Sequence, residues 1–165
     1  MIKVEVRPAD AADLEKLVAR ESQPAKQIYE RERFAAQERG DCALLVAWDG
    51  DVIHGRVRLR WYSKYVEIID EFGEFPEINA LDAWPTGEGV GTQIVEACER
   101  IASARGETQV GIGVEVSNTA ARRLYERLGY RYWGDVIDEW GEVDAEGNVT
   151  FMHHDPAAYL IKTIP

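Results

Sequence analysis

Between Pro85 and Gly91 the chain reads Pro-Thr-Gly-Glu-Gly-Val-Gly, and this turn constrains the fold more than any other stretch. Glycine lets a backbone turn sharply and come close to a ligand. Ahead of it, Glu77–Ala83 reads as a strand. Behind it, Thr92–Ala104 reads as a helix, with Ile94, Ala97, Cys98 and Ile101 spaced i, i+3, i+4, i+7. A strand, a glycine turn and a helix in succession put the unpaired N–H groups of the helix's first turn, and the positive end of its dipole, beside the turn. The turn is therefore a candidate cradle for a phosphate or pyrophosphate; the alternative is a tight connection that holds nothing. It is neither of two common nucleotide loops. No Lys-Ser/Thr follows it, and the glycine spacing is GxGxG rather than GxGxxG.

The other elements follow from periodicity and punctuation. Ile2–Arg7 alternates as a half-buried strand. Asp10 caps a helix to about Arg20, and Pro24 opens a second to about Glu38, stopped by Gly40. Cys42–Trp48 and Val52–Tyr62 are strands joined at Asp49-Gly50, a hairpin signal. In the second of them Arg56, Arg58 and Arg60 alternate with Val57 and Leu59. Tyr65–Phe75 is an acidic, aromatic connection with no clear element. Gly106 closes the helix that follows the glycine turn, and Thr108–Val116 is a strand. Ser117 or Asn118 caps a short helix to about Leu128, ended by Gly129. Tyr130–Ile137 and about Ala158–Ile164 are the last strands, with a turn at Asp144–Asn148 that suggests the tip of an extra hairpin. Hairpins first and helical crossovers later predict an α/β (α+β) fold. Its mixed, mostly antiparallel sheet has about seven strands, flanked by about four helices.

Length and composition narrow the class. The 165 residues fit one domain, 1–165, and can bury a core without staples. The longest clean apolar run, about Ala43–Trp48, is far short of the roughly 20 residues of a membrane span. The N-terminus lacks the apolar region of a signal peptide. Cys42 and Cys98 form no CxxC pair and read as free thiols in a reducing compartment, so a cytoplasmic location is expected. Net charge is −11, and it is concentrated: Tyr65–Glu99 holds nine acids, Tyr132–Ile161 holds seven, and neither block has a Lys or Arg. Such a surface repels a nucleic-acid backbone and attracts a cationic small molecule. It equally serves solubility alone.

Downstream of the turn the chain reads Asn118-Thr-Ala-Ala121-Arg-Arg-Leu124-Tyr125-Glu-Arg-Leu128-Gly129-Tyr130. The glycine turn, its helix, the next strand and this N-x-x-A-x-x-x-Y-E-x-x-G-[FY] segment together resemble the GNAT superfamily of N-acetyltransferases. The resemblance is firmest over Glu77–Tyr132. The opening Arg7-Pro8-Ala9-x-x-x-Asp13 also resembles that family's start. The family's loop usually reads [QR]-x-x-G-x-[GA], which sets Thr86 at the Gln/Arg position, then Gly89 and Gly91. Thr86 lacks the cation or amide found there, and Glu88 adds a negative charge beside it.

The resemblance implies acetyl-CoA as cosubstrate, bound between splayed fourth and fifth strands. It places Leu81, Asp82 and Ala83 along the pantetheine arm. Thr86, Gly87, Glu88, Gly89, Val90, Gly91 and Thr92 fall at the pyrophosphate, and Asn118 nearby. It implies acetyl transfer to a primary amine, with Tyr125 as general acid. The base would be Glu77, with Asp82 second. An amine is protonated near neutral pH and must lose a proton before attacking a thioester. The acid-rich blocks point to a cationic acceptor, a small molecule or a protein amine, and the family's habit of pairing makes a homodimer through Gly134–Asp155 an option. The alternative is an acyl-CoA-binding or interaction domain that kept the fold without the transfer, suggested by Thr86 and Glu88. No metal site is expected: His153 and His154, neighbours on a strand, point to opposite faces. Cys98 falls on the core face of its helix, where a structural thiol is the default. Gly111 and Gly113 would leave room for a longer acyl group, or serve strand packing. Trp61, Tyr62, Tyr65, Phe72 and Phe75 would line an acceptor pocket or cover the sheet edge.

Overall fold

The computed structural model describes all 165 residues. Elements run β1 (Glu5–Pro8), α1 (Ala11–Arg20), α2 (Pro24–Glu38), β2 (Cys42–Asp49), β3 (Val52–Arg60), α3 (Val66–Phe72), β4 (Glu77–Ala83), α4 (Val90–Ala104), β5 (Gln109–Glu115), α5 (Thr119–Arg127), β6 (Arg131–Val143) and β7 (Val149–Thr163). They build one seven-stranded sheet in the order β1-β2-β3-β4-β5-β7-β6. Every neighbouring pair is antiparallel except β4 and β5. No helix is long and apolar enough to cross a membrane.

Local chemistry sets the helix ends. Asp10 and Asp13 form a reciprocal capping box on α1, each side chain accepting from the other's backbone N–H. Pro24 stands at the start of α2, where its missing N–H costs nothing. Asn118 caps α5 by accepting from the Ala121 N–H at 3.2 Å. The glycines at 40, 106 and 129 that close helices all have positive φ.

The sheet separates two apolar layers. On one face, Leu45, Ala47, Val57, Leu59, Ile78 and Ile112 pack against Val90, Ile94, Cys98 and Ala102 of α4 and Tyr125 of α5. On the other, Leu44, Val46 and Trp48 pack under α1 and α2, and Tyr65, Ile68, Phe75 and Tyr159 form a second cluster. Arg56 and Arg58 alternate with Val57 and Leu59, so they turn away from α4 toward α2, where their guanidiniums meet Glu30 and Glu32.

Three departures from the sequence reading stand out. There are five helices rather than four, because Val66–Phe72 of the unplaced connection forms α3 and buries Ile68. Helix α4 starts at Val90, two residues early, so the end of the glycine turn is already its first turn. The last two strands run through the presumed connection. β6 and β7 stay paired from Arg131↔Ile161 to Val143↔Val149, and Asp144–Asn148 is the tip of the resulting ribbon. Only the base of this hairpin covers the core; Ile137, Trp140, Val149, Phe151 and Met152 are exposed along the rest.

Candidate active site

The parallel pair in the middle of the sheet is barely a pair. β4 and β5 match only at Glu77↔Gly111 and Ile78↔Ile112, then diverge. The divergence starts at a bulge. The β3–β4 register shifts between Arg56 and Arg58, and Ala80 carries φ +52°, unusual for a residue with a side chain. Arg56 holds the bulge from behind. Its buried guanidinium donates from Nη1 to the Ala80 carbonyl and from Nε to Glu30 Oε1 at 2.6 Å, and its Nη2 pairs with Asp82 at 3.0 Å. The bulge is thereby tied to α2.

A cavity of about 510 Å³ fills the gap, a volume typical of small-molecule and cofactor sites. Asn79, Ala80 and Leu81 form one side; Ile112–Glu115, Asn118, Ala121 and Tyr125 form the other. Three residues predicted from sequence, Leu81, Asn118 and Tyr125, therefore meet in one space. Tyr125 is buried, and burial pushes its phenol up to about 12, so it is protonated at neutral pH. Ala83 continues β4 beyond the cavity, whereas Asp82 points the other way, onto Arg56. That corrects the reading of Asp82 as a base.

No residue of the glycine turn lines this cavity; the turn meets it through Gly91, which lies against Leu81 of the lining. Gly87 and Gly89 take φ of +80° and +79°, which a side chain would resist, and Gly89 caps α4. Gln93 is the first N–H of the helix to find a backbone acceptor, Gly89 O at 3.3 Å, which leaves the N–H groups of Val90, Gly91 and Thr92 unpaired by backbone. The Gly91 Cα faces Leu81 and Leu124; a Cβ there would lie 3.9 and 3.6 Å from their methyls. Glu88 is turned toward the N-terminal ammonium at 3.3 Å. Thr86 is exposed.

Glu77 is not where the sequence reading needs a base. Its carboxylate is fully buried beneath the cavity and absent from its lining. Oε1 accepts from Ser63 Oγ and from Tyr159 OH at 2.8 Å; Oε2 accepts from the Lys64 N–H at 3.0 Å and from Asn79 Nδ2 at 3.1 Å. All four acceptor positions of a carboxylate are thus in use. This corrects the assignment: Glu77 positions the Ser63–Tyr65 segment and the Asn79 amide. Donation from Nδ2 to Glu77 and to the Ile78 carbonyl fixes which way the Asn79 amide is turned, and its Oδ1 is buried with no partner.

The glycines of β5 have a definite use. A Cβ on Gly111 would fall 2.7 Å from Tyr159 Cζ and 2.9 Å from Phe75 Cε2; one on Gly113 would fall 2.9 Å from the Tyr65 ring. The room they leave is filled by the protein's own aromatic rings, not available to a longer acyl chain. Of the aromatic residues near the acidic connection, Tyr65 reaches the cavity, while Phe75 is buried in the core.

The end of the cavity away from the glycine turn was not legible in the sequence. Tyr29 and Arg33 of α2, Arg58 of β3, and Asp138 and Trp140 of the β6–β7 ribbon converge there. The Tyr29 hydroxyl donates to the Gly141 carbonyl, linking α2 to the ribbon. Lys64 Nζ pairs with Asp138, and the Tyr65 hydroxyl lies 3.4 Å from the same carboxylate. Burial, Asp138 and Glu77 push the Tyr65 phenol upward. The arginine alternation of β3 was the one visible signal. Elsewhere, His153 stacks on Trp140 at 3.9 Å while His154 pairs with Glu139 on the other face of the ribbon. Cys98 is fully buried, and burial pushes its thiol well up.

Comparison with known proteins fits this geometry. The family model described as Acetyltransferase (GNAT) family matches residues 10–130. No curated protein sequence matches. Among solved structures, an N-acetyltransferase from Staphylococcus aureus Mu50 superposes with a TM-score of 0.70 at 15% identity, over 99% of this chain and 100% of that one. A ribosomal-protein-alanine N-acetyltransferase from Brucella melitensis gives 0.68 at 18% identity, over 97% and 99%. A GNAT superfamily phosphinothricin acetyltransferase from Sinorhizobium meliloti, in complex with AcCoA, gives 0.68 at 15% identity, over 99% and 89%. At such identities the likeness is one of fold.

Proposed function

Because the chain belongs to the GNAT acetyltransferase family, we propose that it moves an acetyl group from acetyl-CoA directly to a primary amine of a small molecule. The observation that carries this reading is the gap between β4 and β5, with the open first turn of α4 near it and Tyr125 in its lining. Leu81, Asp82 and Ala83 offer backbone groups along one edge of the gap. The N–H groups of Gly87–Thr92 suit a pyrophosphate without any side chain, so Thr86 in place of a cation is tolerable.

Acetyl-CoA supplies the activated acetyl thioester; the protein supplies position and charge. Holding an amine and a thioester in register is worth up to roughly 7–11 kcal/mol. The amine must arrive or become neutral. Glu77 is saturated, so it serves through the Asn79 amide it orients, and the amine's proton leaves through water. Tyr125, at about 12, is a weaker acid than a thiol by roughly three units. It therefore stabilises the departing sulfur by donating a hydrogen bond rather than by surrendering its proton.

The test is calorimetric titration with acetyl-CoA, followed by thiol release with a panel of amines. Binding in the micromolar range and amine-dependent release are expected. Tyr125→Phe should lower kcat by about 10²-fold with little change in acetyl-CoA affinity. Because Tyr125 stays protonated to about 12, kcat should show no alkaline fall from this group between pH 7 and 10. Binding without turnover of any amine would leave an acyl-CoA-binding domain instead.

A further inference from the structure

Two unpaired groups face each other across the β3–β4 ladder. Arg58 and Asn79 are Cα partners, so their side chains stand side by side on one face of the sheet, with Cβ atoms on the order of 5 Å apart. Both line the cavity. Arg58 Nε is buried with no acceptor, and Asn79 Oδ1 is buried with no donor. A guanidinium Nε–H lacking an acceptor, on an arginine whose Nη1 meets Glu32, and an amide oxygen lacking a donor make a complementary pair of vacancies, and a buried polar group left unpaired is costly.

The surroundings favour an anion at the Arg58 end. Glu32, the one carboxylate on Arg58, is half-exposed and only 3.3–3.4 Å from Nη1. Behind Arg58 lies Arg33, whose nearest carboxylate oxygen, Glu30 Oε1, is shared with Arg56. Burial, together with Arg56 and Arg58, pushes the Arg33 guanidinium down to about 10, although Glu30 and Glu32 oppose this. Of the charged α2 and β3 residues that line the cavity, Arg33 and Arg58 outnumber Glu32, while Glu30 lies outside the lining with its Oε2 unpartnered. At the other end, Asn79 immediately precedes the Ala80 bulge where the strands part; its amide is held by Glu77 through Nδ2, and its Oδ1 is buried without a donor.

We propose that the acceptor is a compact zwitterion, an amino carboxylate whose amine donates to Asn79 Oδ1 and whose carboxylate binds Arg58 with Arg33 behind it. This rests on the acetyltransferase reading above and names its substrate class. A guanidinium suits a carboxylate because its planar fork can donate two parallel hydrogen bonds. The amine end then lies at the bulge, beside the gap, and the anion lies at the α2 wall.

The experiment is thiol release from acetyl-CoA with the twenty standard L-amino acids and a set of ω-amino acids, the amides of the same compounds, and the diamines putrescine and cadaverine. Acetyl-CoA affinity is measured separately by calorimetry on every variant. At least one amino acid should be turned over with kcat/KM at least tenfold above its amide and above either diamine. Arg58→Gln should collapse that ratio toward one, chiefly by raising KM, and Arg58→Lys should restore part of it, with acetyl-CoA affinity retained in both. Amides or diamines acetylated as well as the acids would overturn the proposal. So would acetyl-CoA binding with no turnover of any amino acid, an outcome that leaves the cosubstrate reading intact. Loss of acetyl-CoA binding in the unaltered protein would instead sink the transferase reading and this proposal with it.

Discussion

Glu77 shows how little a single residue's chemistry reveals without its neighbours. A carboxylate at the start of a strand beside a ligand gap resembles a base. Its four hydrogen bonds make it a fastener between the Ser63–Tyr65 segment, β4 and β7. Glu77→Gln would put an NH2 group where two of the four donors point, and those two would lose their acceptor. Each hydrogen bond to a charged group is worth about 1.5–3 kcal/mol. We expect a stability loss of about 3 kcal/mol, read by denaturant titration, with the pH dependence of kcat retained in the folded fraction. A base would show the opposite pattern: stability kept and the acidic limb of the pH profile abolished. The partners that settle Glu77's role lie 13, 14 and 82 residues away along the chain, so no local pattern could have disclosed them. Tyr125 was legible because both its helix and its cap are written in consecutive residues.

Elements differ in legibility for the same reason. Helices α1, α4 and α5 carry their stripe and their stop signals within one stretch of sequence. Helix α3 has seven residues, buries only Ile68 and lacks a side-chain cap, so its signal is too short to read. The outer ribbon of β6 and β7 covers no core, and its residues have no reason to alternate cleanly. β5 was placed correctly, but the purpose of its glycines depends on rings from β7 and from the two ends of the segment around α3. Gly113→Ala would force Tyr65 to move, at a cost of about 1–3 kcal/mol for overpacking. Gly113→Ala combined with Tyr65→Phe should recover little, since the clash involves the ring as well as the hydroxyl. Thermal unfolding of the single and double variants checks this.

At the scale of the whole molecule, net charge and site charge part company. The sequence's acidic blocks suggested a cationic acceptor. Folding leaves Glu67, Glu71, Glu74, Glu139 and Glu142 exposed, while the cavity lining holds three cations, Arg33, Arg58 and Lys64, against three acids, Glu32, Glu115 and Asp138. A zwitterionic acceptor should therefore give kcat/KM nearly independent of ionic strength. The kcat/KM for acetyl-CoA, itself an anion approaching a chain of −11, should rise as salt is raised from about 20 to about 200 mM, because screening weakens the repulsion. A decline with salt for the acceptor would instead mark it as a cation.

Seven strands joined at their middle by two residue pairs amount to two plates, β1–β4 and β5–β7, with helix α4 as the strap between them. The facing edges at Asn79–Ala83 and Gly113–Glu115 lack the ladder that would make the sheet continuous. An extended, amide-bearing molecule lying in that slot takes the place of the missing strand, so filling it completes the architecture as well as the chemistry. The least-paired seam of the sheet and the proposed site of transfer are then the same place. On the proposed function, binding would be coupled to rigidity there, because the ligand would become a structural member.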